Sequence, residues 1–276
     1  MVRKHLLAGI GVWFMIFCIS GIANASFITY TIRNSNSAGG SSPVIKANDA
    51  YGTEATEFII SESGMKAGWG SNDINGFTIG DITNLSITRH DNTTRFTAGS
   101  GPAVAPYFNI WVTDGAGHYA VIANEPSNGA FQPLFETNSD GSKSYNLSYS
   151  DLAVQAAKVF ETPGVPLTSW VHTLFGKTSL TFSDLASLQI APPDAAYITT
   201  PANGVGTGAP DVLGSNVAYG FNWVFGDTLS NYVSGGEGYV VSGASATASA
   251  PVPEPATMLL FGLGLLGVAG IGRRKK

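Results

Sequence analysis

An aromatic residue and the polar residues that follow it form the most distinctive candidate binding group of this sequence. Trp69 lies between two glycines, and Asn72 and Asp73 follow after a short interval. An indole ring on a glycine-rich loop can stack on a sugar ring, and nearby amide and carboxylate oxygens accept hydrogen bonds from hydroxyl groups. The alternative, in which Trp69 closes one end of a hydrophobic core, is the favoured interpretation of the two.

Two short segments rich in oxygen ligands are candidate calcium sites. Residues 72–76 read Asn-Asp-Ile-Asn-Gly, with Asp73 and Asn75 as candidate ligands, and residues 138–142 read Asn-Ser-Asp-Gly-Ser, with Asp140. Hard cations prefer such oxygen ligands around a glycine turn. Neither segment has the alternating carboxylates of a full calcium loop, and Asn/Asp-Gly is also ordinary turn chemistry. We therefore expect tight turns and no cofactor, with a structural calcium ion as the less favoured alternative.

The sequence contains no local pattern of a catalytic site. The histidines beyond the N-terminal segment, His90, His118 and His172, lack the spacing of a zinc site, and no Gly-x-Ser-x-Gly motif is present. A glycosidase needs two carboxylates that face one cleft, whereas Glu125 and Glu136 lie beside prolines in a loop-like stretch. We expect no enzymatic activity, and a secreted hydrolase such as a glycoside hydrolase is the least favoured alternative.

The elements that would position these residues are short β-strands separated by clusters of Gly, Asn and Asp. The clearest strand patterns cover residues 26–32, 58–60, 107–112, 119–122, 222–225 and 238–241. This arrangement predicts one all-β domain over residues 26–242, folded as a sandwich or barrel. One short helix is predicted at residues 150–160, where Ser150 or Asp151 can cap its N-terminus. The small residues of 243–251 predict a linker that follows the domain.

A faint internal repeat relates residues 78–87 to residues 181–190. Both segments share the order Thr, apolar, any, Asp, aliphatic, any, any, Leu, any, Ile. The pattern predicts in each case a single turn capped by Asp81 or Asp184, followed by a strand. A chance similarity is an equally good explanation, because the shared residue types are common.

Charge argues against some classes of partner. The formal net charge of the chain is −5, and the body without its two ends has eight Lys and Arg against 18 Asp and Glu. An acidic surface with few basic residues does not suit nucleic acid or anionic lipid. No nucleic acid partner is expected.

The N-terminal 25 residues have the organisation of a signal peptide. Arg3 and Lys4 precede an apolar stretch, and Ala23 and Ala25 form an A-x-A cleavage site, so the mature chain is predicted to begin at Ser26. The Sec translocon and signal peptidase are therefore expected partners. The single cysteine, Cys18, lies inside the apolar stretch and leaves with it, which predicts a mature protein without disulfides.

The last 25 residues combine three distinct parts. They are the motif Val252-Pro253-Glu254-Pro255, the uncharged stretch 256–272, and the basic cluster Arg273, Arg274, Lys275 and Lys276. As a helix the uncharged stretch would be about 25 Å long, somewhat short of the roughly 30 Å hydrocarbon core of a bilayer. Basic residues next to a span are retained on the cytoplasmic side. The tail is predicted to be a transmembrane helix with its basic end in the cytoplasm.

This three-part tail, residues 252–276, resembles the PEP-CTERM sorting signal of Gram-negative bacteria. The resemblance implies that an exosortase, a membrane-embedded transpeptidase, recognises the Pro-Glu-Pro region and removes the tail. It also implies a host that makes exopolysaccharide, and a protein that passes through an inner-membrane intermediate, with its body in the periplasm, to the cell surface or extracellular matrix. A plain C-terminal anchor that is never cleaved is the alternative.

The same resemblance extends loosely to the body. Residues 219–233 look like stretches common in the extracellular bodies of PEP-CTERM proteins, which implies an all-β, jelly-roll-like antiparallel β-sandwich with one short helix. The expected function is that of an exported structural or adhesive protein linked to exopolysaccharide. The main alternative is a carbohydrate-binding module for exopolysaccharide, with Trp69, Asn72 and Asp73 as its candidate site.

Overall fold

Two antiparallel β-sheets make up most of the described structure. The computed structural model describes residues 27–91, 106–124, 131–160, 169–226 and 232–249. The strands are β1 (Ile28–Arg33), β2 (Val44–Ala47), β3 (Thr56–Ile59), β4 (Lys66–Ser71), β5 (Ile82–Arg89), β6 (Tyr107–Thr113), β7 (Tyr119–Ala123), β8 (Glu136–Thr137), β9 (Lys143–Leu147), β10 (Ala156–Phe160), β11 (Leu180–Thr181), β12 (Gln189–Ile190), β13 (Phe221–Phe225) and β14 (Tyr239–Ala248). Three short helices accompany them: α1 (Tyr149–Ala153), α2 (Trp170–Phe175) and α3 (Ala195–Thr199).

The strands are divided between an eight-stranded and a six-stranded sheet. The first sheet has the order β1-β4-β13-β6-β7-β10-β11, with β12 paired to one end of β6, and the second has the order β2-β3-β14-β5-β9-β8. All the described strand pairs are antiparallel. The strands predicted at residues 107–112 and 119–122 are present as β6 and β7, which pair as a hairpin around residues 114–117.

The core of the protein lies between the two sheets. Phe58 of the second sheet stacks on Phe225 of the first with ring centroids 4.0 Å apart. Tyr145 of the second sheet lies nearly parallel to Trp223 of the first, at 5.9 Å and an interplanar angle of 9°. Because strands with alternating apolar residues bury one face each, two facing sheets satisfy the pattern of this sequence. The predicted all-β class is confirmed.

The outer face of the first sheet is covered by the segment that precedes β13. Trp111 and Val121 on this face form a second apolar cluster with Ala209 and Ala218. The Trp111 indole Nε1 donates a hydrogen bond to the carbonyl of Pro210 at 3.3 Å. The central strands β6 and β13 are consequently buried along their whole length.

The helix predicted at residues 150–160 is wrong in its second half. The structure ends the helix α1 at Ala153, and residues 156–160 form β10, which pairs with β7 and β11. Ser148 and Asp151 form a capping box that starts α1. Leu152 and Val159 fit a helical period, but Val159 instead enters the core from a strand. Pairing with β7 overrides the local helical pattern, because it satisfies the backbone hydrogen bonds of β10 and at the same time buries the Val159 side chain.

Helices α2 and α3 were not predicted, although both have capping residues. The Ser169 hydroxyl accepts from the His172 amide at the start of α2, and Gly176 ends it at a positive φ of 62°. Asp194 accepts from the Tyr197 amide at the start of α3 at 2.7 Å. These caps are local signals that sequence reasoning can find, but each helix is too short to show a periodic apolar face.

The linker predicted at residues 243–251 is wrong over residues 243–248, which form a strand. Residues 243–248 are the second half of β14, in which Ser245, Ala246 and Thr247 pair with β5. Ala246 is only 2% exposed. The small residues of this segment predict a linker because they bury little surface. Backbone pairing with β5 nevertheless places them in the sheet.

The two halves of the faint repeat lie side by side. Asp81 accepts hydrogen bonds from the Thr78 amide and hydroxyl at 2.9 and 2.8 Å, and Asp184 accepts from the same two groups of Thr181 at 2.9 and 3.1 Å. The amide of Gly80 donates to the carbonyl of Ala186 at 2.9 Å, so the two turns are joined directly. The predicted Asp-capped turns are confirmed in both halves.

The two predicted membrane-related segments, residues 1–25 and 256–272, lie outside the described residues. Within the ranges that the structure describes, no helix is long and apolar enough to cross a membrane.

Candidate functional site

Trp69 lies in strand β4 and points toward the core. Its ring contacts Phe27 edge-on at 5.9 Å and Phe58 of the opposite sheet at 6.2 Å, and the side chain is half-buried. The glycine-rich loop expected around Trp69 is therefore a strand. This packing favours the interpretation in which Trp69 closes one end of the core.

The glycines beside Trp69 have a different explanation from a binding loop. They lie on the opposite face of β4, where a Cβ on Gly68 would be 2.5 Å from the Tyr30 ring and a Cβ on Gly70 would be 2.7 Å from the Tyr219 ring. The Tyr30 hydroxyl donates to Asn222 Oδ1 at 2.6 Å. Burial raises the pKa of Tyr30 well above its usual value, which keeps this donor protonated. The glycines thus allow aromatic rings to cover the strand.

Asn72 and Asp73 belong to the turn that follows β4. Asn72 Oδ1 accepts from the Gly220 amide at 2.9 Å and from Asn75 Nδ2 at 3.0 Å, and Asp73 accepts from the Ser71 hydroxyl at 2.7 Å. These oxygens close the turn and attach it to the segment before β13. Asn75 Oδ1 is buried without a hydrogen-bond partner. Among the described contacts, none joins Trp69 to Asn72 or Asp73.

The second candidate calcium segment forms the turn between β8 and β9. Asp140 Oδ1 accepts from the Ser142 hydroxyl at 2.6 Å and from the Ser142 amide at 2.9 Å. The hydrogen bond from the Ser142 side chain holds the pKa of Asp140 below its usual value. Gly141 has a positive φ of 86°, as such a turn requires. Among the residues of known placement, no cluster of three or more His, Cys, Asp or Glu is arranged to hold a metal.

The three histidines of the body make separate local contacts. His90 Nε2 is 2.7 Å from the Ser242 hydroxyl, and His118 Nδ1 is 2.6 Å from Asp114 Oδ2 within the β6–β7 hairpin. His172 Nδ1 is 2.6 Å from the Ser169 hydroxyl in α2, and burial lowers the pKa of His172. The described contacts do not bring these side chains to a common site.

A groove that the sequence did not indicate lies between the end of β1 and the segment 205–216. Its volume is about 470 Å³, within the range of small-molecule sites. Its lining residues are Ile32, Arg33, Asn34, Ser35, Asn36, Ile198, Val205, Gly206, Thr207, Asp211, Leu213, Gly214 and Asn216. The lining combines amide, carboxylate and guanidinium groups with the aliphatic side chains of isoleucine, valine and leucine.

The walls of this groove are attached firmly to the first sheet. The Leu213 amide donates to the Thr31 carbonyl at 2.9 Å. Lys66 is 4% exposed and its Nζ donates to the Gly208 carbonyl at 2.7 Å. Because the two walls are more than 160 residues apart in the chain, only the folded structure reveals the groove.

The chemistry of the groove suits a ligand rich in hydroxyl groups. Planar polar side chains such as those of Asn36 and Asn216 present a donor and an acceptor that match neighbouring hydroxyls. The lining also includes Leu213, a residue that is 49% exposed, and its side chain can pack against the C–H face of a ring.

The tail supplies the decisive comparison. Residues 251–276 match the family model of the PEP-CTERM protein-sorting motif. This chain carries a PEP-CTERM sorting signal. The predicted recognition is confirmed, and the motif implies an exosortase as the processing partner and export through a membrane-anchored intermediate toward the cell surface. No curated protein and no solved structure matches the chain.

The PEP-CTERM motif begins very close to the folded body. The Ser249 amide, one residue beyond β14, donates to the Asp81 carbonyl at 2.9 Å. The motif starts at residue 251, so Ala250 alone separates it from a residue that is still hydrogen-bonded to the sandwich. The motif residues themselves, including Pro253, Glu254 and Pro255, lie outside the described ranges.

Proposed function

We propose that this protein is exported and processed by an exosortase, and that it acts at the cell surface or in the extracellular matrix. Its two-sheet body has a structural or adhesive role linked to exopolysaccharide. The observation that carries the proposal is the PEP-CTERM motif at residues 251–276, directly after the last strand of the body. The same proposal includes export through the Sec translocon and removal of a signal peptide before Ser26. It also includes a jelly-roll-like sandwich as the fold of the body.

The composition of the body supports an extracellular role. The eight Lys and Arg of the body against 18 Asp and Glu give it a strongly acidic balance, which favours solubility. The outer face of the second sheet presents neutral hydroxyl groups, and Thr88 and Ser144 share a hydrogen bond of 2.8 Å there. Such a surface is well solvated and compatible with a hydrated polysaccharide matrix.

The processing step is tested by replacing the motif. In the triple variant Pro253→Ala, Glu254→Ala, Pro255→Ala, we expect the tail to remain, because the exosortase no longer recognises it. Intact-mass measurement of protein from the envelope and medium should show a wild-type chain that starts at Ser26 and lacks the span, and a triple variant that extends to Lys276. The expected loss of processing is nearly complete.

The matched control is the wild-type protein in a host that lacks the exosortase. It should keep its tail and stay in the inner membrane, like the triple variant. If the wild-type protein keeps its tail in an exosortase-positive host, the tail is an uncleaved anchor and the proposal fails.

A second candidate function is carbohydrate binding, and the groove between β1 and residues 205–216 is the observation that favours it. Its lining combines amide groups with aliphatic side chains, which is the chemistry that a saccharide needs. The binding site of this candidate is the groove, because Trp69 is occupied with Phe27 and Phe58. The ligand class is a hydroxyl-rich glycan such as the exopolysaccharide of the host.

Groove variants test this candidate directly. Asn36→Ala and Leu213→Ala should each weaken binding of purified host exopolysaccharide by about five- to tenfold, which corresponds to the loss of one hydrogen bond or one apolar contact. Isothermal titration calorimetry provides the measurement. The controls Asn146→Ala and Val233→Ala remove an exposed amide and an exposed aliphatic side chain elsewhere, and they should bind normally.

Trp69→Ala separates the two candidate sites. If it abolishes binding in a folded protein while the groove variants bind normally, the glycan site includes Trp69 and the groove assignment is wrong. If no variant changes the titration, carbohydrate binding by the body is abandoned.

A further inference from the structure

The last strand of the body, β14, consists of two unequal halves. In the first half, residues 239–241 pair with β3 and residues 241–242 pair with β5, whereas residues 245–248 pair with β5 alone among the described strands. The register shifts between Ser242 and Ser245, and Gly243 between them has a positive φ of 63°. Such an irregularity interrupts the ladder of hydrogen bonds between β14 and β5, so that one half of β14 can open while the other stays paired.

The two halves also differ in what they bury. Tyr239, Val240 and Val241 are at most 4% exposed, while in the second half only Ala246 is buried. The apolar contacts of the second half come from the small side chains of Ala244, Ala246 and Ala248. Because burial of apolar surface is the main source of local stability, this half depends more than the first on its hydrogen bonds to β5. It is the part of the strand that opens most easily.

The folded body leaves little chain for the processing enzyme to reach. Three residues lie between Ser249 and Pro253, so Pro253 is four steps along the chain from Ser249, and at roughly 3.3–3.6 Å per step the chain reaches about 14 Å at most. Ser249 itself is fixed by its hydrogen bond to Asp81. Opening residues 244–249 adds six residues, or about 20 Å more of extended chain.

We propose that residues 243–249 are a releasable tether that opens when the exosortase engages the tail. The half-strand separates from β5 up to the irregularity at Gly243, while residues 239–242 stay paired and keep the core closed. After the tail is removed, the half-strand pairs with β5 again. This inference rests on the proposed processing by an exosortase.

A disulfide across the releasable half tests the proposal in the full-length protein. Ser86 and Ser245 are direct cross-strand partners, and such partners have Cα atoms about 4.5–5.5 Å apart, within the range of a disulfide. The only natural cysteine is Cys18, in the predicted signal peptide, so the pair Ser86→Cys and Ser245→Cys has no competitor in the mature chain. We expect the rate of tail removal, followed by intact mass in an exosortase-positive host, to fall at least tenfold.

The matched control places the same cross-link in the other half of the strand. Thr88 and Ser242 are also direct partners, and the pair Thr88→Cys and Ser242→Cys should be processed within about twofold of the wild-type rate. A reductant added to the cells should restore processing of the Ser86–Ser245 variant. A six-residue Gly-Ser spacer inserted between Ser249 and Ala250 should restore it without reduction, because the spacer replaces the missing length.

The possible outcomes distinguish a failure of the tether proposal from a failure of the proposed exosortase processing. Equal processing of the two cross-linked proteins, with both disulfides verified on non-reducing gels, overturns the tether. Failure of the spacer to restore processing overturns it as well, because length is then not what the cross-link removes. A wild-type protein that keeps its tail in both an exosortase-positive and an exosortase-negative host contradicts the proposed function and, with it, the tether.

Discussion

Replacing Asp91 with alanine is expected to lower the free energy of unfolding by about 3–5 kcal/mol, because it leaves a buried guanidinium without its carboxylate. The Arg89 side chain is 4% exposed and that of Asp91 is fully buried, and Arg89 Nη2 lies 2.9 Å from Asp91 Oδ2. Arg89 Nε donates to Asp91 Oδ1, also at 2.9 Å. Urea unfolding of the purified exported protein measures the change.

The position of this ion pair explains the size of the effect. Asp91 Oδ1 also accepts from the Val240 amide at 3.0 Å, and the Arg89 guanidinium lies 4.9 Å from the centre of the Tyr239 ring. The pair therefore joins the end of β5 to the first half of β14, at the centre of the second sheet. Removing the carboxylate breaks this link between β5 and β14. It also leaves the buried Arg89 guanidinium without the negative charge of Asp91.

The exposed ion pair between Lys177 and Asp184 is the control. Its atoms are 2.5 Å apart, but the Lys177 side chain is 54% exposed, so Lys177→Ala should cost less than about 1 kcal/mol. The double variant Arg89→Met, Asp91→Leu should be more stable than Asp91→Ala, because it buries no charge. A similar loss for Asp91→Ala and Lys177→Ala would show that burial does not set the cost.

The sequence predicts the class of the fold but not its sheets. Alternation and glycine-rich punctuation identify β6, β7 and β13, since each is a run of β-branched and aromatic residues. The pattern misses β4, because its Gly-Trp-Gly centre lacks the apolar alternation of a strand. Only the Tyr30 and Tyr219 rings that cover these glycines make the segment a good strand, and they come from distant parts of the chain.

The C-terminal end of the chain differs from the body in how well its local sequence identifies it. The PEP-CTERM motif is recognised from the sequence because its parts are contiguous, at residues 251–276. The groove instead depends on Leu213 meeting Thr31, a contact that no local pattern encodes. The structure around Trp69 could not be predicted from local sequence either. An aromatic residue between two glycines is equally compatible with a loop and with a strand whose glycines are covered by other side chains.

The second large effect is expected at Trp223, whose ring joins the two sheets. Trp223→Ala should lower the free energy of unfolding by about 3–5 kcal/mol through the cavity that it leaves. The buried ring contacts Phe108 and Phe221 edge-on at 5.8 and 5.4 Å within the first sheet, and it lies parallel to Tyr145 of the second sheet at 5.9 Å. Thermal or urea unfolding of the purified exported protein is the measurement.

Two further variants show which property of the ring matters. Trp223 Nε1 is buried without a hydrogen-bond partner, so Trp223→Phe removes an unsatisfied donor while it keeps most of the apolar volume, and its stability should stay within about 1 kcal/mol of the wild type. Trp69→Ala should cost less than Trp223→Ala, because Trp69 is only half-buried. If Trp223→Phe is as damaging as Trp223→Ala, the indole N–H contributes to stability and the account of a purely apolar junction between the sheets is wrong.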